Sequence, residues 1–212
     1  MPGFTTRHEI RGSFGVATST HWIASAVGFG ILEKGGNAFD AAVAAGFVLQ
    51  VVEPHLNGPA GDLPIIFYSA ETNQTKVVCG QGVTPAAATI AHYKAQGLTM
   101  IPGSGLLSTV VPGAFDGWML LLRDHGKMRL RDVLQPAIDY TRDGHPVLPR
   151  VANTIVGLAD YFAAEWPTSA AVWTPGGTSP KPYANFKNPD MAATYERLVN
   201  EAEASTQERV TQ

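Results

Sequence analysis

The residues GGNAFDAAVAAGFVLQVVEPHLNGPAGD, Gly35 to Asp62, decide how this chain is read. A glycine pair, Gly35 and Gly36, suits the end of a preceding helix, because glycine adopts the left-handed conformation of a helix C-terminus without steric cost. Asn37 then caps a second helix, with Asp40 three residues on, near its positive end. From Ala38 to Val52 every residue except Asp40, Gly46 and Gln50 is apolar, and many are alanine. A helix that is apolar nearly all round is a buried one, and small side chains let its neighbours come close. Glu53-Pro54 stops it. The loop beyond carries His55, Asn57, Gly58, Gly61 and Asp62 before an apolar strand begins. A rigid buried helix delivering a polar, glycine-rich loop is a common mounting for a site.

On the N-terminal side, residues 1–14 show no clear period and read as a flexible arm. GVATS, Gly15 to Ser19, is short and partly β-branched, and reads as a strand. Ser19 or Thr20 is placed to cap a helix through Lys34, whose apolar positions Ile23, Ala26, Val27, Gly30 and Ile31 recur at helical spacing. On the C-terminal side, Leu63–Ala70 and Thr75–Gly82 read as two antiparallel strands joined by the turn ETNQ. They are the one convincing strand pair. A helix ending at Gly97 follows, then a structured loop from Met100 to Gly113, then helices over Ala114–His125 and from Leu130 to about Thr141. Pro136 predicts a kink in the latter. A further helix is expected over Pro149–Ala164. The Pro/Gly-rich stretch from Trp166 to Pro189 reads as a surface loop, and Asn188 or Asp190 caps a last helix that frays into the polar tail. Seven helices against one strand pair make this a helix-rich α/β (α+β) chain.

A formal charge of −3 leaves no basic footprint, so neither nucleic acid nor a membrane surface is an expected partner. The single cysteine, Cys79, excludes an internal disulfide framework. No secretory leader pattern and no run of about 20 apolar residues is seen, so the expected compartment is the cytoplasm. Hydrophobic residues make up 45% and charged residues 16%. That balance suits a chain with surface to bury against a second polypeptide.

The six histidines (His8, His21, His55, His92, His125 and His145) are scattered, with no HxH or HxxxH pair. Neither a metal site nor a cofactor is expected: a metal needs converging ligands, and no G-x-G-x-x-G phosphate loop is present. No G-x-S-x-G elbow occurs. Cys79, at an alternating strand position, reads as a buried structural thiol.

The stretch ILEKGGNAFDAAVAAGFVLQVVEPHLNGPAGD resembles the signature of the gamma-glutamyltransferase family, within the N-terminal-nucleophile hydrolase superfamily. The similarity continues through TPAAATIAHYKAQG, VVPGAFDGW, LRDVLQPAIDYTRDGHPVLPRVA and KNPDMAATYERL, from about Gly15 to Val199. The resemblance implies that residues 15–212 are the helix-rich large-chain portion of a four-layer α/β/β/α sandwich. It also implies amide-bond attack by a threonine exposed at the N-terminus of a separate small chain after self-cleavage, the free α-amine serving as base. The small chain is then the expected partner and a small-molecule amide the substrate. No catalytic residue lies in this chain, which alone is expected to be inactive and prone to self-association. A catalytically inactive scaffold or interaction fragment of the same fold is the alternative.

One large-chain residue of the family carries substrate: an arginine, in a block close to D-G-R-E-T-A-P, that grips the α-carboxylate of the glutamyl group. The matching stretch here is CGQGVTP, Cys79 to Pro85, with Gln81 at the arginine position and Gly82 at the glutamate position. A neutral amide replaces a charged fork, and hydrogen bonds to charged groups are worth about 1.5–3 kcal/mol against about 0.5–1.5 for neutral ones. The change points to a subfamily with a different acyl group, such as a small amide acid or a cephalosporin-type side chain. Gln81 either faces substrate or bonds backbone at a strand end. His55, Asn57 and Asp62 either wall the active-site cleft or satisfy the turn and the helix end.

Overall fold

The computed structural model describes residues 9–210, with side chains as far as residue 205. Residues 1–8 of the expected arm lie outside the described residues; residues 9–14 carry no regular structure, and Phe14 packs edge-on against Phe29 with ring centroids 6.2 Å apart.

The central element is the buried helix. Helix α1 spans Trp22–Glu33 and α2 spans Ala38–Val52. Between them Gly35 takes φ +91°, the conformation for which glycine is suited. Asn37 and Asp40 form a reciprocal capping box: Asn37 Oδ1 accepts from the Phe39 and Asp40 amides, and Asp40 Oδ2 accepts from the Asn37 amide at 2.8 Å. Asp40 is wholly buried, and its carboxylate also accepts from the Lys127 amide at 2.9 Å and the Met128 amide at 3.1 Å. Those three backbone donors compensate a charge that would otherwise be costly to bury. The cap of α1 differs from expectation. His21 is the N-cap, its Nδ1 accepting from the Ile23 amide, while the Ser19 hydroxyl turns to the His21 carbonyl and Thr20 donates to the buried Glu53 carboxylate.

Strands β1 (Leu63–Ser69) and β2 (Gln74–Gly80) form the expected antiparallel hairpin, with Leu63 opposite Gly80 and Ser69 opposite Gln74. Helix α3 covers Ile90–Ala95, a short 3-10 turn Leu106–Ser108, helix α4 Ala114–His125 and helix α5 Leu130–Asp143, which continues through Pro136. Helix α6 covers Pro149–Glu165 and α8 covers Pro189–Val210, capped by Asn188, whose Oδ1 accepts from the Met191 amide. The polar tail therefore continues a helix for the described residues and does not fray where the polar sequence begins.

Two further readings are corrected. The Trp166–Pro189 stretch contains helix α7, Pro167–Trp173, opened by a proline at its first position, where the missing N–H is not needed. It also contains β4, Asn185–Phe186, which pairs antiparallel with β3, His145–Pro146. GVATS forms no ladder among the described residues, although its exposure alternates from Gly15 to Ser19 as in a strand.

The main core gathers α2 with α1, α4, α5 and α8. Small residues set the spacing. Gly28 of α1 faces Ala45 of α2, a Cβ there meeting the Ala45 Cβ at 3.4 Å, and Gly46 of α2 admits the Trp118 ring of α4. Tyr195 of α8 is buried, meets Phe47 edge-on at 5.6 Å, and donates its hydroxyl to Gln50 Oε1 at 2.8 Å. A smaller core of Val147, Val151, Ala152 and Ile155 is closed by Trp173 and Phe186, whose rings stack at 5.1 Å.

Candidate functional site

The open end of the hairpin is built by backbone approaches that only glycines allow. A Cβ on Gly80 would lie 2.7 Å from the Leu63 carbonyl oxygen, and one on Gly113 would lie 2.4 Å from that of Gly80. A Cβ on Gly82 would overlap the Val111 carbonyl oxygen. The Val111 amide donates to the Val83 carbonyl at 3.0 Å, and the Gly61 carbonyl accepts from the amides of Gly113 and Ala114 at the start of α4. The loop after α2, the exit of β2 and the start of α4 are thus locked into one corner. With the backbone in this position no side chain fits at Gly82.

The hairpin ladder ends at the Leu63–Gly80 pair, with Asp62 and Gln81 the next residue on either strand. Both are exposed. Alternation puts Gln81 on the face of Cys79, whose Sγ lies 3.6 Å from Gln81 Oε1. Cys79 is exposed and not buried, a correction. Its inward neighbours are Val78 and Gly80, because β2 turns Val78 to the helices and Cys79 away from them. The outward face of the hairpin also carries Ile66 at 75% and Val77 at 68% exposure, whereas the inward Phe67 packs against Phe39 and His125.

His55 and Asn57 go elsewhere. Asn57 Nδ2 donates to the Glu53 carbonyl at 3.1 Å and, more weakly, to the Leu49 carbonyl at 3.4 Å, closing the C-terminus of α2. That is a capping role. His55 lines a cavity of about 100 Å³ with Pro54, Ile155, Leu158, Phe162 and Trp173, and neither ring nitrogen has a hydrogen-bond partner among the described residues. Of the four residues picked from the sequence, Asp62 and Gln81 lie exposed where the hairpin opens, His55 lies against α6 and α7, and Asn57 closes the end of α2.

Pro54 and Trp173 also line a neighbouring cavity of about 200 Å³, with Gln50, Thr141, His145 and Phe186 among its walls. His145 is buried, and its Nδ1 has no partner among the described residues. Burial pushes this imidazole below its usual range; a hydrogen bond to the Tyr140 backbone opposes that, and His21 adds to it. His21 is likewise lowered, by burial first, against the pull of Glu53. The sequence had no signal for this cavity, because His145 lies far along the chain from Gln50 and Trp173 is separated from both. Among the described residues no group of three His, Cys, Asp or Glu side chains could hold a metal ion, and no helix is long and apolar enough to cross a membrane.

The family model described as gamma-glutamyltranspeptidase matches residues 24–206. A glutathione hydrolase-like YwrD proenzyme of Bacillus subtilis is 37% identical over 185 residues, covering 87% of this chain and 35% of that protein. The solved structure of LmbA2991HD is 52% identical with a TM-score of 0.90, the match covering 94% of this chain and 34% of that one. The Helicobacter pylori gamma-glutamyltranspeptidase structure is 27% identical with a TM-score of 0.84, over 91% of this chain and 56% of that one. The chain spans about a third of the length of the curated relatives it matches.

Proposed function

This chain belongs to the gamma-glutamyltranspeptidase family, and from that premise we propose that it is the large chain of a two-chain amide hydrolase or acyltransferase. Its fold is the helix-rich part of an N-terminal-nucleophile hydrolase sandwich. In the proposed enzyme a small chain carries the N-terminal threonine that attacks the amide, its own α-amine taking the hydroxyl proton. The large chain contributes no reacting group. It contributes the corner where β2, the Gly58–Asp62 loop and α4 meet, and it presents Gln81 and Asp62 at the edge of the acyl pocket. The small chain packs on the outward hairpin face, and the cytoplasm is the proposed compartment.

The observation that carries the reading is an exposed Gln81 at the exit of a hairpin whose outward face is bare and whose inward face packs on the helices. A neutral amide is a weaker receptor for an α-carboxylate than a guanidinium fork, because it brings no charge to pair with it. The acyl group is accordingly one without that carboxylate, a small amide acid bound by its other end or a cephalosporin-type side chain. The test is a mass spectrum of the protein purified from its natural source, together with turnover of amide panels by it. Two chains, the smaller beginning with Thr, and turnover of amides lacking the α-carboxylate are the expected result. A single inactive polypeptide would turn the reading to a scaffold of the same fold.

A further inference from the structure

The cap of α1 is an imidazole, and an imidazole is a cap that a proton removes. Ser, Thr, Asn and Asp keep an acceptor oxygen at every pH, whereas a histidine ring has one acceptor nitrogen and loses it on taking a second proton. His21 Nδ1 accepts from the Ile23 amide at 3.1 Å, so the neutral ring carries its proton on Nε2. That Nε2 is buried and has no partner among the described residues, and His21 as a whole is 1% exposed. A second proton would set Nδ1–H against the Ile23 N–H and put a cation at the positive end of α1. Two ionisable groups act on the ring. Glu53, at the end of α2, favours its protonation, and a charge on His145 of β3 opposes it. The N-terminal segment and α1 add only the uncharged Ser19, Thr20 and Ser25 and the Trp22 ring, stacked at 6.0 Å.

The cap also holds the chain that precedes it. Residues 9–20 make no backbone hydrogen bond to another element among the described residues. They lie along α1 by side-chain contact: a Cβ on Gly28 would meet the Ala17 Cβ at 3.3 Å, one on Gly15 would meet Leu32 Cδ1 at 2.9 Å, and Phe14 meets Phe29 edge-on. Their polar ties to the rest of the molecule gather at the cap. Ser19 Oγ bonds the His21 backbone and Ser25 Oγ, and Thr20 bonds Glu53.

We propose that His21 is an acid-operated latch: protonation of its ring undoes the cap of α1 and lifts residues 9–20 off that helix. Opening relieves the ring twice, because the imidazolium reaches water and the stranded Nε2–H finds a partner there. Burial, opposed by Glu53, keeps the closed ring below the ordinary 6.5, so the latch is shut above that pH and opens progressively under it. Opening is local; it bares the side of α1 at Gly28, Phe29 and Leu32 and does not depend on the acyl pocket assigned to the hairpin.

Hydrogen exchange of the full-length protein, read as protection factors from about pH 7 to about pH 5, tests the latch. Protection of residues 9–25 is expected to fall roughly two- to thirtyfold with acid, the worth of a side-chain N-cap, while α2 stays protected. His21→Asn supplies an acceptor that does not titrate, and the fall disappears. Glu53→Gln keeps an oxygen for Thr20 and removes the charge, so the fall moves to lower pH. His145→Phe leaves it in place. Equal protection at both ends of the range overturns the proposal. So does a fall that persists in His21→Asn or vanishes in His145→Phe, since another group then titrates. Should His21→Asn fail to fold, Glu53→Gln decides: a midpoint that does not move overturns the assignment to His21.

Discussion

In the proposed enzyme Gln81 is the residue on which substrate choice turns, and it is exposed at the exit of β2. In the proposed two-chain protein, Gln81→Arg is expected to raise kcat/KM for acyl groups bearing an α-carboxylate by about 1–2 kcal/mol, because a guanidinium binds a carboxylate through two bonds. Kinetics on a matched pair of amides with and without that carboxylate measure it, and an unchanged ranking in a folded variant means that Gln81 is structural. Asp40 makes a prediction of a different kind. Asp40→Ala strands the Asn37, Lys127 and Met128 amides inside the protein. At about 1–3 kcal/mol per unsatisfied buried donor the loss is expected to exceed about 3 kcal/mol, with Asp40→Asn milder; urea denaturation reads both. The sequence exposed the capping role of Asn37 and Asp40, because that is a local spacing. It could not expose the Lys127 and Met128 partners, which lie 87 and 88 residues away. Gln81 stood out through the resemblance and Asp62 through its place in the polar loop, while the Val111 carbonyl that crowds Gly82 left no trace in the sequence.

Among the elements, α2 was legible because its signal is compositional and needs no partner to be read. The hairpin was legible because two alternating runs flank a tight turn. Helix α7 and the β3–β4 pair were not. Each pairing there involves two residues, and a seven-residue helix set among prolines and glycines has too little period to stand out. GVATS shows the converse: a strand-like pattern is no strand without a ladder to join. Packing between elements gives a sharper test at Gly46. Alanine there improves helix propensity by about 1 kcal/mol, but its methyl would lie 2.3 Å from Trp118 Cζ2, a ring atom that cannot swing aside cheaply. Overpacking costs about 1–3 kcal/mol, so Gly46→Ala is expected to lower the melting temperature. Trp118→Leu in the same chain should recover part of the loss, and a Gly46→Ala variant as stable as the parent would show that α4 is free to move off α2.

At the scale of the whole molecule, apolar side chains stand bare on the outward hairpin face and also at Ile90, Met100, Ile101 and Leu106, with Met100 at 79% exposure. On the hairpin Ile66 and Val77 stand opposite one another, and adjoining bare apolar side chains mark an interface. The 212-residue chain alone is expected to self-associate in light scattering and to become monodisperse when produced with the remainder of its protein; a monomer with a sharp cooperative melt would oppose that. Acid should also weaken the fold. His21 and His145 have folded pKa values below the ordinary 6.5, so in the window under 6.5 the unfolded chain binds more protons and stability falls as pH drops until the folded values are passed. Above 6.5 their contribution is fully present. Denaturation midpoints from pH 7 to 5 measure the slope, and His145→Phe is expected to flatten it. Asp40, finally, sets a timetable. Helices α1 and α2 are neighbours in sequence and can pair as soon as both are made, yet the carboxylate at the head of α2 waits for amides that are translated 87 residues later. At synthesis rates of about 5–20 residues per second that interval is roughly 4–17 s. For that time the helical pair on the ribosome holds a solvated charge at its end, and the core seals only when Lys127 and Met128 arrive.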